Sequence, residues 1–250
     1  MKALITGASS GIGRDIAKVL SKKGYELILV ARDKEKLEKV ESEIETKVRS
    51  ILLDLSVEEN CKKLYEEVKE ENIDLLINNA GFGVYGKFTD TELEKEVNMI
   101  HTNIIAVHIL LKLFLKDMKK RNHGQILNVA SSAGFMPGPL MSAYYASKAY
   151  IIRISEGIRE ELKKEHSKVS LSVLCPGPVR TNFNKVAGVN FGLHSLSSNY
   201  VANYTVRKLE KRKFMIIPGL LMKIIHVGTK IFPNNIISKL SYKINYTKKS

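Results

Sequence analysis

Short apolar runs alternate with longer stretches whose apolar residues recur every three to four positions. Residues 2–6, 24–31, 48–53, 73–77, 124–128, 169–174 and 214–217 read as strands. Helices are predicted over 14–23, 34–45, 57–71, 92–120, 143–166 and 200–211. This strand–helix–strand rhythm implies an α/β fold, a doubly wound parallel sheet of about seven strands with right-handed crossovers and helices on both faces. Gly81, Gly83 and Gly86 interrupt the pattern and predict a loop without regular structure. Residues 183–198, with Gly188 and Gly192 and little periodicity, are expected to form a mobile lid. No internal repeat or low-complexity tract is present.

Residues 218–250 lie beyond the last predicted strand and predict extra amphipathic helices. Leu220, Leu221, Ile224, Ile225, Ile231 and Phe232 fall on one side at helical spacing, and Lys223, His226 and Lys230 on another. Pro233 breaks the stretch, and Ile236, Ile237, Leu240 and Ile244 begin a second apolar series interleaved with Lys239 and Lys243. Two readings stand side by side. The helices pack onto the lid or a partner subunit, or they lie on an anionic membrane surface.

Composition narrows the class. With 250 residues, 44% apolar and 26% charged, the chain suits one large domain, residues 1–217, plus the 218–250 extension. Cys61 and Cys175 give no disulfide framework and read as small core residues, which points to the cytoplasm. The first seven residues run straight into a strand and a glycine turn, so no signal peptide is expected. No run of eighteen apolar residues occurs, so no spanning helix is expected. Of the net charge of +14, residues 166–250 carry +13, from fourteen Lys or Arg against the single acid Glu210. No nucleic-acid readout motif accompanies this charge, so no nucleic-acid partner is expected.

The candidate chemistry sits at the strand ends. Gly7, Ser9, Ser10, Gly11, Ile12 and Gly13 link the first strand to a helix, where a glycine turn lets the backbone approach a pyrophosphate at the positive helix end. The second strand ends at Ala31 and Arg32. A cation there favours a ribose 2′-phosphate, and Arg14 adds to the charge. Asp33 has the nominal spacing of a 2′-hydroxyl-binding acid but falls one turn late, as the N-cap of the next helix. Asp54 either accepts from an adenine amino group or caps the helix that follows. Asn78 to Gly81 offer small residues against which a ribose can lie. Asn103, inside a helix, needs partners for its amide, structural or functional. Ser131 follows the fifth strand, and Tyr144 and Lys148 share a helix face at four-residue spacing. A nearby ammonium favours a phenolate, so Tyr144 is expected to have a lowered pKa and to exchange a proton with an alcohol or ketone. The plain alternative is a Tyr and a Lys on one solvated helix face.

Together TGASSGIG at 6–13, Asp54, NNAG at 78–81, Asn103, ILNVAS at 126–131, YYASK at 144–148 and PGPVRT at 176–181 resemble the short-chain dehydrogenase/reductase family over residues 1–217. The resemblance implies a Rossmann-like fold and an NADPH-dependent reductase of ketones or aldehydes. Ser131 would orient the carbonyl, Tyr144 act as general acid, Lys148 tune it and hold the nicotinamide ribose, and Asn103 anchor a relay water. Pro176, Gly177, Val179 and Thr181 would line the nicotinamide end, with the Val179 backbone and Thr181 hydroxyl on its amide. Asp54, Leu55, Asn79, Ala80 and Gly81 complete the implied NADP(H) set, and no metal is expected. Aligning on Ala133-Gly134 selects Ser131 over Ser132, while Tyr145 has Ala149 at i+4 and reads as a packing or pocket residue. Phe135, Met136, Leu140, Phe183 and Phe191 are the candidate apolar pocket, which favours a hydrophobic small-molecule carbonyl substrate. A homo-oligomer, dimer or tetramer, is expected. The competing functions are a membrane-peripheral reductase of lipid-like or acyl substrates and a non-catalytic NADP-binding sensor.

Overall fold

The computed structural model describes residues 1–181, 183, 187–188 and 195–247. Six strands follow the chain: β1 (Lys2–Thr6), β2 (Glu26–Ala31), β3 (Val48–Leu52), β4 (Leu75–Asn78), β5 (Gln125–Val129) and β6 (Ser170–Leu174). Three two-residue strands complete the set, β7 (Val179–Arg180), β8 (Leu196–Ser197) and β9 (Met215–Ile216). One parallel sheet runs in the order β3-β2-β1-β4-β5-β6-β9, giving the expected seven strands, and β7 pairs with β8 beside it.

The strands are apolar on both faces because each face is covered. In β1, Ala3 and Ile5 enter one core while Leu4 enters the other, the period-two alternation of a pleated strand. The first core is closed by α1 (Gly11–Ser21), α2 (Lys34–Glu41) and α7 (Ser198–Glu210), through Ile16, Leu20, Leu37, Val201 and Val206. The second is closed by α3 (Glu58–Val68), α5 (Ala106–Lys120) and α6 (Ser142–Lys164), through Leu64, Leu110, Leu111, Phe114 and Leu162. Cys61 and Cys175 are free and buried, as their apolar surroundings suggested. Strand order reverses between β1 and β4, which opens a crevice at their carboxyl ends.

Helix boundaries depart from the sequence pattern where backbone geometry intervenes. The glycine turn is itself the first turn of α1, so the helix begins at Gly11 rather than Arg14. The 92–120 stretch is α4 (Leu93–Ile100) continued into α5 through a π-turn at His101–Ile105. By length and composition this helix is apolar enough to cross a membrane, contrary to the sequence expectation. Its buried residues pack against the sheet, and Asn103 within it is wholly buried and bonded to a neighbouring loop, which places it in the covering layer. Residues 79–86 carry no helix or strand, as the glycines indicated. Most of the expected lid, with Phe191, lies outside the described residues. Beyond β9 the chain forms α8 (Leu220–Ile231) and α9 (Asn234–Tyr246), broken at Pro233.

Candidate active site

A cleft of about 370 Å³ opens at the carboxyl ends of β1, β4, β5 and β6. Its floor at one end is the glycine turn, where Gly7 has a φ of +64° that only glycine adopts without strain. A Cβ on Gly13 would stand 2.4 Å from Asn79 Nδ2 and 2.5 Å from the Gly7 carbonyl oxygen, so α1 can approach β4 only with glycine there. Asn79 ties the two segments together, donating from Nδ2 to the carbonyls of Thr6 and Gly7, both at 3.0 Å. Ser9, Ser10, Gly11 and Ile12 face the cleft. Ser10 caps α1 by position but makes no side-chain bond, and no acid stands in the first turn. The first-turn N–H groups are thus available to an anion, and the residues present fit a dinucleotide pyrophosphate.

At the adenosine end the lining is Ala31, Arg32, Asp54 and Leu55. Arg32 is largely exposed, with its guanidinium 3.8 Å from Asp54 Oδ2. Asp33 is the N-cap of α2, accepting from the Lys36 backbone N–H at 3.1 Å, and its carboxyl is held below the usual range by the Lys36 ammonium. It does not line the cleft. Arg14 does not itself line the cleft, and its Nε donates to Asp15 Oδ1 at 2.7 Å. Asp54 is not the cap of α3, which is Val57. Instead its Oδ1 accepts from the Ser56 backbone N–H at 2.9 Å and leaves Oδ2 toward Arg32.

At the other end Ser131, Tyr144 and Lys148 come together. Ser131 is the N-cap of a 3-10 turn over Ser132–Phe135, accepting from the Ala133 N–H at 3.1 Å. That turn lies directly on α6: a Cβ on Gly134 would stand 2.7 Å from the backbone carbonyl of Lys148. Beneath it, Asn78 donates to Asn128 at 2.9 Å and Asn128 to Ser155 at 3.0 Å, linking β4, β5 and α6. Lys148 is buried, and its ammonium donates to the Val129 carbonyl at 3.1 Å and sits 5.8 Å from the Tyr144 ring centroid.

The electrostatics correct one expectation. Burial pushes the Tyr144 phenol well above its ordinary pKa, and a hydrogen bond with Ser131 pulls it back only in part. Burial also lowers Lys148, from 10.5 to about 8. Both groups are driven toward their neutral forms by the same low-dielectric wall. At neutral pH Tyr144 therefore holds its proton.

Asn103 is fully committed. Its Oδ1 accepts from the Phe82 N–H at 3.1 Å, and its Nδ2 donates to the Phe82 carbonyl at 2.9 Å and to Ser147 Oγ at 3.1 Å. The side chain fixes the cleft wall at Gly81 and Phe82, with Gly81 wedged between Asn103 and the Lys148 ammonium. Ala80 and Gly81 line the cleft, as do Pro176, Gly177, Val179 and Thr181 on the opposite rim. The Pro176 carbonyl accepts from the Ser132 N–H at 2.9 Å, and the Thr181 hydroxyl accepts from the Phe183 N–H at 3.2 Å.

Of the described pocket candidates, Met136 and Phe183 line the cleft, and the Phe183 ring lies 5.3 Å from that of Tyr144. Phe135 and Leu140 do not line it. Phe135 turns to the other side of its 3-10 turn and packs on His226 of α8, ring centroids 4.1 Å apart. Phe82 and Met141, which sequence reasoning passed over, take their place. Phe82 directly follows the NNAG motif and Met141 directly follows the candidate Leu140, and that adjacency was the available signal. Asn245 of α9 was missed altogether. It is wholly buried, accepts from the Tyr145 hydroxyl at 3.2 Å and donates to the Pro139 carbonyl at 2.9 Å, while its own carbonyl accepts from Tyr85 at 3.1 Å. Tyr145 lines the cleft, so α9 backs the wall beside Tyr144.

Comparison with known proteins agrees with this geometry. The short chain dehydrogenase family model matches residues 1–189. A very-long-chain 3-oxoacyl-CoA reductase of Mycosarcoma maydis is 35% identical over 193 residues, which span 74% of this chain and 55% of that one. Among solved structures, a short-chain dehydrogenase of Sphingobium yanoikuyae in complex with NADPH superposes with a TM-score of 0.81 at 29% identity, covering 88% of each chain. A short-chain dehydrogenase/reductase of Burkholderia phymatum in complex with NAD gives a TM-score of 0.82 at 25% identity, covering 90% of this chain and 91% of that one. With a seven-stranded parallel sheet, a glycine turn at its switch point and a Tyr–Lys pair on the helix beside it, the chain belongs to the short-chain dehydrogenase/reductase family of nicotinamide-dependent oxidoreductases.

Proposed function

We propose that the protein is an NADPH-dependent reductase that converts a hydrophobic ketone or aldehyde to an alcohol. The observation that carries this reading is the Ser131–Tyr144–Lys148 set on the cleft wall, with Tyr144 and Lys148 buried. The reduced nicotinamide, when bound, supplies the hydride for the carbonyl carbon. Ser131 orients the carbonyl oxygen, and the Tyr144 hydroxyl gives that oxygen its proton. Lys148, with a pKa of about 8, is charged at neutral pH and offsets the phenolate left behind. The α1 N-terminus holds the pyrophosphate, Asp54 the adenine, and Val179 and Thr181 the nicotinamide amide.

Preference for the phosphorylated cofactor rests on Arg32 at the lip and on Asp33 being turned into its helix cap. Phe82, Met136, Met141 and Phe183 give the substrate end an apolar lining, which suits an acyl chain or fused ring better than a small polar carbonyl. The name of the Mycosarcoma maydis relative supports the lipid-like class. The exposed Leu93, Val97 and Ile100 on α4 support a homo-oligomer, which sedimentation velocity checks.

The test is to compare kcat/KM for NADPH and NADH, across acyl and ring ketones, in the wild type and in Ala31→Asp/Arg32→Ile. The wild type should favour NADPH, and the variant should move toward NADH. A wild type that favours NADH, or reduces none of the ketones, would overturn the reading.

A further inference from the structure

Helices α8 and α9 are built in reverse of ordinary surface helices. In α9 the residues turned to the protein body are Ile237, Ser241 and Asn245, spaced four apart, so two of its three buried positions are polar. Ile236, Leu240 and Ile244, also four apart, face outward, and Leu240 is 59% exposed. In α8 no residue is buried. Met222 and His226 rest on Gly177 and Phe135, while Leu220, Ile224, Val227 and Ile231 form an outward stripe, Leu220 and Ile231 at 73% and 70% exposure. A water-facing helix keeps its apolar stripe inside, and soluble chains rarely expose a continuous apolar face of this extent.

The charges around this surface have one sign. From residue 211 to the end of the sequence every charged side chain is Lys or Arg, and Lys223, Lys230, Lys239 and Lys243 are exposed beside the apolar stripes. A second copy meeting this face would bring like charges together, which disfavours self-association. An anionic surface with an apolar interior satisfies both features at once.

We infer that the outward face of α8 and α9 docks on an anionic lipid bilayer. Docking there places the membrane next to the substrate end of the cleft, because α9 is fixed to it through Asn245, Tyr145 and Pro139. The inference stands apart from the cofactor and from the reaction, since the surface contains none of the residues that line the cleft.

Co-sedimentation of the full chain compares vesicles of phosphatidylcholine with vesicles of phosphatidylcholine and phosphatidylglycerol in equal parts. The protein should pellet with the mixed vesicles, stay in solution with the neutral ones, and be released by added salt. Ile224→Glu/Leu240→Glu should abolish pelleting, and Lys239→Gln/Lys243→Gln should weaken it by about fivefold per lysine. These side chains are exposed, so both variants should keep the wild-type circular dichroism and melting point. Equal pelleting on both vesicles, or variants that pellet like the wild type, would overturn the inference. So would sedimentation velocity showing a dimer that the glutamates dissociate, without vesicle binding.

Discussion

Replacing Lys148 with methionine isolates the electrostatic cost of the candidate site. The ammonium is buried, and burial lowers its pKa from 10.5 to about 8. Below about pH 8 the folded protein must carry a charge that its surroundings disfavour, and the unfolded chain carries it freely. A tenfold loss of proton affinity corresponds to about 1.4 kcal/mol, so the folded state is penalised by roughly 3 kcal/mol at about pH 7. The penalty is fully present below the folded pKa and fades as pH rises toward 10.5, where both states are neutral. Between about pH 7 and pH 10 the wild type should therefore gain about 2–3 kcal/mol relative to Lys148→Met. The variant also leaves the Val129 carbonyl without its 3.1 Å donor, a pH-independent loss of about 1 kcal/mol. Urea unfolding of both proteins across that range reads the difference directly. Lys148→Met should be the more stable protein at neutral pH and lose its advantage in base. Parallel pH profiles would refute the burial argument.

Other perturbations address the packing that holds the site. Asn245→Ala removes the side-chain bonds to the Pro139 carbonyl and the Tyr145 hydroxyl, so the opening free energy of residues 234–246 should fall by about 1–3 kcal/mol in amide exchange. Unchanged protection there would mean that α9 is held by something else. Gly134→Ala forces a Cβ against the Lys148 backbone and should destabilise by about 1–3 kcal/mol in urea, with loss of activity. A wild-type midpoint would contradict the close approach.

The fold was legible because its signals are local. The strands are short apolar runs, and Gly7, Gly11 and Gly13 mark a turn that tolerates little else. Tyr144 and Lys148 declare a shared face by spacing alone, and Asp33 declares a cap by its place before α2. What escaped depends on tertiary surroundings. The phenol's pKa direction could not be read, because adjacency to Lys148 was visible in the sequence while the burial of both groups was not. The π-turn carries Asn103 to its partners Phe82 and Ser147, and Phe135 turns from the cleft onto His226 of α8, contacts that only the fold brings together. Asn245 stands a hundred residues from Tyr145, and nothing near it announces a partner. The apolar series of α8 and α9 was plain, but which side faces the body was settled only by the fold.

The most direct test of the proposed chemistry is the rate of NADPH oxidation with a hydrophobic ketone by wild type, Tyr144→Phe and Tyr145→Phe, alongside NADPH binding. Tyr144→Phe removes only the proton-bearing oxygen, so kcat should fall on the order of 10²–10⁴-fold while NADPH binding holds. Tyr145→Phe should retain turnover. A Tyr144→Phe enzyme that keeps wild-type kcat, or a Tyr145→Phe enzyme that loses it instead, would contradict the assignment of Tyr144 as the general acid.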